Sequence, residues 1–287
     1  MTLTLPDAPA DDVAGLAELT ALVRAGDVVV LSGAGISTES GIPDYRGPSG
    51  AFARNHTPMT YQAFTRDSLA RRRYWARSFL GWRMISRAEP NDGHRAVAAL
   101  ETQGLISRVI TQNVDGLHQA GGARDVIELH GSLDRVVCLE CGERTDRIEL
   151  DDRLRAANAG FGGEVDPENV NPDGDVDLPE DQLDGFVVVD CIDCGGVLKP
   201  DVVFFGESVP KERVADCSAT VDRAGALLVL GSSLTVYSGR RFVVQATKAG
   251  IPVGIVNQGP TRGDECASVR VDAPLGPTLT ALAAATT

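Results

Sequence analysis

Two Cys-x-x-Cys pairs carry the most specific chemical signal in this chain of 287 residues. Cys138 and Cys141 form one pair, Cys191 and Cys194 form the other, and glycine directly follows each second cysteine. A glycine there favours a tight turn whose backbone amides face the thiolates, so the pairs offer four sulfur ligands at tetrahedral reach. Because four thiolates leave no open position for water, the pattern predicts one structural Zn²⁺ and disfavours a catalytic metal. Four buried free thiols are the less favoured alternative.

A glycine pair follows the first apolar run, in Ser32-Gly33-Ala34-Gly35-Ile36-Ser37-Thr38. Glycines between a strand and a helix let backbone amides approach a pyrophosphate, so the segment predicts nucleotide binding. Thr38 occupies the third glycine position of the dehydrogenase fingerprint, and no acidic residue follows about 20 residues later. A hydride-transferring dehydrogenase is therefore disfavoured.

The elements that must position these residues alternate along the chain. Apolar or largely apolar runs, typical of buried parallel strands, lie at Val28–Leu31, Val109–Thr111, Val126–Leu129, Ala226–Leu230 and Val253–Val256. Helical periodicity marks residues 13–24, 94–101 and 240–249. This alternation predicts an α/β fold with a doubly wound, mostly parallel Rossmann-like sheet.

Two stretches interrupt the alternation. Residues 48–91 are helix-like and residues 138–200 contain both cysteine pairs. We expect them to form a small domain, a helical module plus a zinc-binding module, inserted into a large nucleotide-binding domain. The large domain would comprise residues 13–47, 92–137 and 201–283.

The 40 acidic side chains outnumber the 27 basic ones, which gives a formal net charge of −13. Residues 151–184 alone contain eleven acidic and two basic residues, a net charge of −9. Because such charge repels a phosphate backbone, no direct nucleic-acid binding is expected, and a zinc-ribbon nucleic-acid module is disfavoured. Asp173-Gly174-Asp175 in this stretch is interpreted as a solvated loop, since the twelve-residue calcium-loop pattern is incomplete.

No apolar run approaches the roughly 20 residues of a membrane span. The first dozen residues carry three aspartates, no Lys or Arg and no apolar block, unlike a secretory leader. We therefore expect a cytoplasmic protein without membrane contact, and the oligomeric state is left open.

Longer stretches around these residues resemble the sirtuins. The matching segments follow the family's order and flank the cysteine pairs; they are residues 33–47 (GAGISTESGIPDYRG), 111–118 (TQNVDGLH), 128–132 (ELHGS), 199–207 (KPDVVFFGE), 231–234 (GSSL) and 256–257 (VN). The resemblance covers about residues 26–275. Residues 73–77 (RYWAR) and 172–175 (PDGD) are similar to class II, the branch of bacteria and mitochondria.

The resemblance implies that NAD is cleaved instead of reduced, which accounts for the missing dehydrogenase features. The protein would be an NAD-dependent protein-lysine deacylase of deacetylase type, which releases nicotinamide and transfers the acyl group of lysine to ADP-ribose. Its substrates would be acylated lysine side chains of proteins or peptides. An NAD-dependent protein ADP-ribosyltransferase on the same scaffold is the alternative, and product analysis distinguishes the two. A nucleotide-binding regulator without catalysis is a third hypothesis.

The resemblance also assigns residue roles. His130 would be the catalytic base on a ribose hydroxyl, for which an imidazole has the right pKa range, and Asn113 and Asp115 would hold the nicotinamide amide and its ribose. The implied NAD-binding residues are Gly33, Ala34, Gly35, Ile36, Pro43, Asp44, Tyr45, Arg46, Gln112, Asn113, Asp115, Gly231, Ser232, Ser233, Asn257, Gln258, Gly259 and Leu275.

The uncharged run Val202–Gly206 is expected to be extended and to pair with a substrate peptide by strand addition. The predicted substrate-binding residues are Val202, Val203, Phe204, Phe205, Gly206 and Glu207.

Overall fold

A computed structural model describes residues 14–47, 50–54, 56–162, 166, 169–179, 183 and 185–286. Two sheets organise this part of the chain. The larger has six parallel strands, and the smaller has three antiparallel strands.

The strands of the larger sheet are β1 (Val28–Ser32), β2 (Ile106–Thr111), β3 (Val126–Glu128), β7 (Ala226–Leu230), β8 (Val253–Val256) and β9 (Val269–Val271), and they lie side by side in the order β3-β2-β1-β7-β8-β9. Every residue of β1, β7 and β8 is buried. A strand that is buried on both faces must be apolar at nearly every position, which is why the apolar runs in the sequence marked these strands. The predicted parallel sheet is confirmed. The sequence analysis missed β9, a three-residue edge strand that is only partly buried.

Helices cover both faces of the larger sheet. Helices α1 (Leu16–Arg24), α4 (Asp92–Thr102) and α9 (Leu275–Thr286) share one core with Val28 and Val30. Helices α7 (Lys211–Asp222) and α8 (Tyr237–Ala249) share another core with Val29 and Leu31. Because side chains alternate along a strand, consecutive residues of β1 supply the two cores, as a doubly wound fold requires.

The smaller sheet contains β4 (Gly131–Cys138), β5 (Arg144–Asp146) and β6 (Leu198–Val202). It shares a third core with α2 (Tyr61–Arg66), α3 (Ser68–Ile85), α5 (Leu117–Ala120) and α6 (Arg147–Ala157), and this core includes Trp75, Phe79 and Trp82. The helical residues around 61–85 and the cysteine-bearing residues therefore pack together. The domain boundaries stay a prediction.

One expectation about the acidic stretch is wrong. Asp173-Gly174-Asp175 is not a solvated loop, since Asp175 is 3% exposed. The segment packs on α3 at Gly81, where an added Cβ would lie 2.7 Å from the carbonyl carbon of Asp175. The acidic composition suggested that this segment is exposed to solvent. It is buried because Gly81 on α3 has no side chain and leaves room for Asp175. None of the helices in the described ranges combines the length and hydropathy of a membrane span.

Candidate active site

The larger sheet reverses its strand order between β1 and β7. From β1 the chain proceeds to β2 and β3 on one side, while β7, β8 and β9 extend the other side. In open α/β sheets, ligands bind in the crevice at the carboxyl ends of the two strands that flank such a reversal. The glycine-rich segments after β1 and β7 lie at this crevice.

Glycines allow these two segments to touch through their backbones. An added Cβ on Gly35 would lie 2.8 Å from the carbonyl oxygen of Gly231, and one on Gly33 would lie 2.8 Å from Cβ of Ser232. Gly231 also has φ +59°, which an L side chain rarely adopts. The absence of side chains lets the two turns pack directly on each other, and the Gly35 amide donates to the carbonyl oxygen of Gly231 over 2.8 Å. The two turns are therefore held together at the edge of the sheet where a ligand would bind.

A network of amide, hydroxyl and carboxylate groups fixes the residues after β2. Asn113 Nδ2 donates to the carbonyl oxygen of Gly33 over 3.2 Å and to Ser37 Oγ over 3.0 Å. Ser37 Oγ donates to Asp115 Oδ2 over 2.7 Å. Burial raises the pKa of Asp115, while the hydrogen bond from the Leu117 amide opposes that rise. Asn113 and Asp115 are thereby held beside the glycine turn.

Gln112 joins this network to the turn after β7. Its Nε2 donates to Ser232 Oγ over 2.9 Å and to the Ser32 carbonyl oxygen over 3.1 Å. Predicted residues from three separate motifs therefore lie together at one edge of the sheet.

His130 lies between the two sheets, directly before β4. Its Nδ1 is 2.9 Å from the carbonyl oxygen of Gln112 and its Nε2 is 2.8 Å from Ser238 Oγ. Because a carbonyl only accepts, Nδ1 carries the proton and Nε2 accepts from the serine hydroxyl. Burial lowers the pKa of His130 to about 4, a shift that the hydrogen bond to Gln112 opposes. The imidazole is therefore neutral near pH 7 and holds a basic lone pair on Nε2.

The next residue, Gly131, explains why the motif contains glycine. It has φ +86°, and an added Cβ would lie 1.9 Å from the carbonyl oxygen of Asp201. No larger residue fits between β4 and β6 here, so Gly131 fixes where His130 is placed.

Sequence reasoning missed three polar residues of the site. Ser37 links Asn113 to Asp115, and its position inside the glycine-rich segment was the available signal. Ser238 contacts His130 from a distant part of the chain, and nothing local in the sequence indicates it. His118 lies beneath the site, where its Nε2 is 2.8 Å from Ser32 Oγ.

A second histidine accompanies His118. The ring of His94 lies 5.1 Å from that of His118, centroid to centroid, at an interplanar angle of 74°. Burial lowers the pKa of His118 to about 3 and that of His94 to about 4. Both rings are therefore neutral parts of the core at physiological pH.

The predicted cofactor loop, Pro43 to Arg46, contacts the predicted substrate segment through aromatic rings. The Tyr45 ring centroid lies 5.5 Å from that of Phe52 and 5.9 Å from that of Phe205. Asp44 Oδ1 accepts from the Gly47 amide over 2.7 Å. Burial raises the pKa of Tyr45, so its hydroxyl stays protonated.

The substrate segment passes His130 but is less extended than expected. Strand β6 ends at Val202, and the Val203 amide donates to the carbonyl oxygen of His130 over 2.8 Å. Glu207 Oε2 then accepts from the Phe204 amide over 2.8 Å, and Gly206 has φ +77°. The expectation of an extended run through Gly206 is wrong, because this side-chain capture turns the chain.

The remaining predicted NAD-binding residues occupy neighbouring positions. Asn257 follows β8, and its Nδ2 donates to the carbonyl oxygens of Gln258 and Gly259. Ser233 follows β7, and its carbonyl oxygen accepts from the Arg262 amide. Leu275, at the start of α9, is 5% exposed and belongs to the core. Ile36 is likewise buried in that core, and Ala34 begins the 3₁₀ turn after Gly33.

The four paired cysteines converge. The sulfur atoms of Cys138 and Cys194 are 3.5 Å apart, those of Cys141 and Cys191 are 3.8 Å apart, and all four lie within 4.8 Å of one another. Four sulfurs around one Zn²⁺ at about 2.3 Å would be separated by about 3.8 Å, so the cluster fits a structural zinc site.

The predicted glycine turns support this cluster. Gly142 has φ +76° and donates to the carbonyl oxygen of Cys138, and Gly195 has φ +71° and donates to that of Cys191. The thiolates are therefore contributed by two matching backbone turns.

These features together define an α/β enzyme-type crevice beside a cysteine zinc site, and comparison with known proteins identifies the family. A family model described as the Sir2 family matches residues 33–238. The chain belongs to the Sir2 family.

Curated relatives match over nearly the whole chain. An NAD-dependent protein deacetylase 1 of Streptomyces coelicolor is 63% identical over 268 residues, which covers 93% of this chain and 89% of the relative. The NAD-dependent protein deacylase Sirt4 of Drosophila melanogaster is 46% identical over 268 residues, covering 93% and 85%.

Solved structures agree with this assignment. A structure that describes the mechanism and regulation of Sir2 enzymes has a TM-score of 0.74 and 32% identity, and the match covers 95% of this chain and 97% of that one. A Sir2 protein bound to acetylated peptide has a TM-score of 0.71 and 29% identity, covering 91% and 94%.

Proposed function

We propose that this protein is an NAD-dependent protein-lysine deacylase that transfers the acyl group of a lysine side chain to ADP-ribose and releases nicotinamide. The observation that carries the proposal is a neutral, buried His130 held beside the Asn113–Asp115 network at the strand-order reversal of a Sir2-family fold. The named activities of the relatives, NAD-dependent deacetylase and deacylase, agree with it.

The crevice fits a dinucleotide. Gly33, Gly35 and Gly231 let the turns after β1 and β7 pack together at the crevice where a dinucleotide would bind. Asn113 and Asp115 provide the donor and acceptor groups that a carboxamide and a ribose need. NAD supplies the ADP-ribosyl group that accepts the acyl chain, and what this chain contributes is its orientation and the exclusion of water.

His130 serves as the base in this proposal. Its Nδ1 proton is committed to the Gln112 carbonyl oxygen, so only Nε2 can accept a proton. Ser238 occupies Nε2 here, and a sugar hydroxyl would replace that serine contact when substrate binds. Because burial keeps the ring neutral, the base is available at physiological pH.

The acyl-lysine peptide would lie along residues 202–207. This segment is hydrogen-bonded to His130 at Val203 and contacts the cofactor loop at Phe205, so it touches both parts of the predicted site. A relative in the Sir2 family has been solved with an acetylated peptide, which supports a peptide substrate for this chain.

The test is nicotinamide release from NAD that depends on an acylated peptide. Wild-type protein is incubated with NAD and a panel of acylated and unacylated peptides, and products are identified by mass spectrometry. Free O-acyl-ADP-ribose supports the deacylase, whereas ADP-ribose attached to protein supports a transferase and contradicts the proposal.

His130→Ala separates catalysis from binding. We expect it to lower kcat by about 10²–10⁴-fold, the usual range for loss of a general base, while NAD still binds. Full activity in this variant would remove His130 from the mechanism. The cytoplasmic location and the lack of nucleic-acid contacts stay predictions.

A further inference from the structure

A second cluster of ionisable side chains lies outside the active site, between His56 and the acidic stretch. His56 Nε2 is 3.6 Å from Asp173 Oδ2 and 4.0 Å from Asp175 Oδ1, and its Nδ1 is 3.2 Å from Asp177 Oδ1. The side chain of His56 is 1% exposed and that of Asp175 is 4% exposed. Three carboxylates therefore surround one buried imidazole.

The hydrogen bond at Nδ1 determines what Nε2 can do. An ionised carboxylate only accepts, so the ring donates its Nδ1 proton to Asp177. Nε2 then faces Asp173 and Asp175, and it has no hydrogen-bond partner among the described residues. Because this buried nitrogen is aimed at two carboxylates, either a proton on Nε2 or a bound cation must supply the positive charge between them.

The distances favour a metal ion over a proton. Separations of 3.6 and 4.0 Å from Nε2 exceed an N–H···O hydrogen bond. Nitrogen and oxygen ligands at about 2.0–2.2 Å from one cation lie about 3.0–3.6 Å apart, so a small inward shift of Asp175 completes the geometry. The ligand atoms of His56, Asp173 and Asp175 all lie within 4.8 Å of one another.

Outer hydrogen bonds orient these groups as in known metal sites. A metal-ligating histidine usually donates its other ring N–H to a carboxylate, the role that Asp177 has here. Asn171 Nδ2 donates to Asp175 Oδ1 over 2.8 Å and to Asp177 Oδ1 over 3.2 Å. Asn171 also closes the turn through the Gly174 amide, and Gly174 has φ +76°. The turn thus places two carboxylates on the same side.

A cavity borders the cluster. A cavity of about 550 Å³ is lined by Arg54, His56, Thr57, Arg77, Asn169 and Asp177. Two residues of the cluster, His56 and Asp177, belong to this lining, while Nε2 itself is buried.

We propose that His56, Asp173 and Asp175 bind one divalent cation of the first transition series, with Asp177 orienting the imidazole. Two carboxylates and one imidazole suit Mn²⁺ or Zn²⁺, while the thiolate site selects Zn²⁺. The bound ion links the acidic stretch to the segment that follows the cofactor loop. Two backbone hydrogen bonds connect that segment to the loop: the His56 amide donates to the carbonyl oxygen of Ala51, and the Ala51 amide donates to the carbonyl oxygen of Asp44.

Mn²⁺ is the probe, because it binds carboxylate and imidazole in preference to a thiolate site already filled with zinc. Zinc-loaded full-length protein is titrated with Mn²⁺ while free Mn²⁺ is followed by electron paramagnetic resonance. We expect about one equivalent to bind to wild type and to Asp152→Asn, whose carboxylate is exposed on α6. Asp173→Asn/Asp175→Asn should lose this binding, and Asp177→Asn should weaken it about 10–100-fold.

A measurement on wild type alone guards against a variant that fails to fold. Bound Mn²⁺ should broaden the NMR signals of the His56 ring before those of the other histidines. No Mn²⁺ binding by wild type, equal binding by the double aspartate variant in its folded form, or first broadening at another histidine would each overturn the proposal. Enzymatic activity enters none of these measurements, so the result stands apart from the proposed function.

Discussion

Replacing His118 by asparagine should change how stability depends on pH. His118 is 1% exposed, and burial lowers the pKa of its ring to about 3, whereas an unfolded histidine titrates near 6.5. The unfolded chain therefore binds more protons than the folded one between these values. The stability due to this group is fully present above pH 6.5 and is lost as pH falls towards 3.

The size of the effect follows from the two pKa values. At pH 5.5 a histidine of pKa 6.5 is about 90% protonated in the unfolded chain, and this protonation favours unfolding by about 1.4 kcal/mol. At pH 7.5 the same contribution to the free energy of unfolding is below about 0.1 kcal/mol. Wild type should therefore lose about 1.4 kcal/mol more than His118→Asn between pH 7.5 and 5.5. The absolute stability of the variant also falls, because Ser32 Oγ loses its hydrogen bond with His118 and keeps only the one to Thr111.

Urea unfolding followed by far-UV circular dichroism at both pH values measures this difference. Release of zinc at low pH does not interfere, because both proteins carry the same four cysteines and the comparison cancels it. A difference between the two pH dependences of less than about 0.5 kcal/mol would falsify the assignment of His118 as a neutral core residue.

Three further changes test the zinc site, the glycine turns and the base. Cys191→Ser should lose zinc and unfold the core around the smaller sheet, whereas Cys266→Ser should not, because Cys266 is half-buried outside the cluster. Metal content and thermal melting measure the difference, and a zinc-free Cys191→Ser variant with unchanged activity and melting temperature contradicts the prediction. Gly35→Ala should lower the free energy of unfolding by about 1–3 kcal/mol and weaken NAD binding, because its Cβ would lie 2.8 Å from the Gly231 carbonyl oxygen. Gly162→Ala is the control, since a Cβ there meets open space. Calorimetric titration with NAD measures the affinity of both variants, and equal affinities refute the steric argument. Ser238→Ala removes the hydrogen bond that stabilises neutral His130, so the acid limb of kcat/KM should move to higher pH, and an unmoved limb excludes this role.

Local patterns predicted the parts of the fold that depend on burial along one segment. Strands β1, β7 and β8 are apolar at nearly every position because both of their faces are covered. The cysteine turns were equally predictable, since the ligands and the glycines with positive φ are neighbours in sequence. These features need no knowledge of distant contacts.

Features created by packing between distant segments were beyond such patterns. Burial of Asp175 depends on Gly81, almost a hundred residues earlier, and the partner of His130 is Ser238. Arg147 is 1% exposed because its guanidinium lies over the rings of Trp75 and Trp82. In each case a polar side chain that composition assigns to solvent is enclosed by residues elsewhere in the chain.

The strand order of the larger sheet also governs when this protein can fold during synthesis. Strand β1 is made early, yet one of its two hydrogen-bonded neighbours is β7, where Val28 pairs with Ala226. Until the ribosome has released residues 226–230, the central strand exposes an unpaired apolar edge, the kind of surface that recruits other chains. Nascent chains shorter than this should therefore depend on chaperones, and truncations before residue 226 should aggregate.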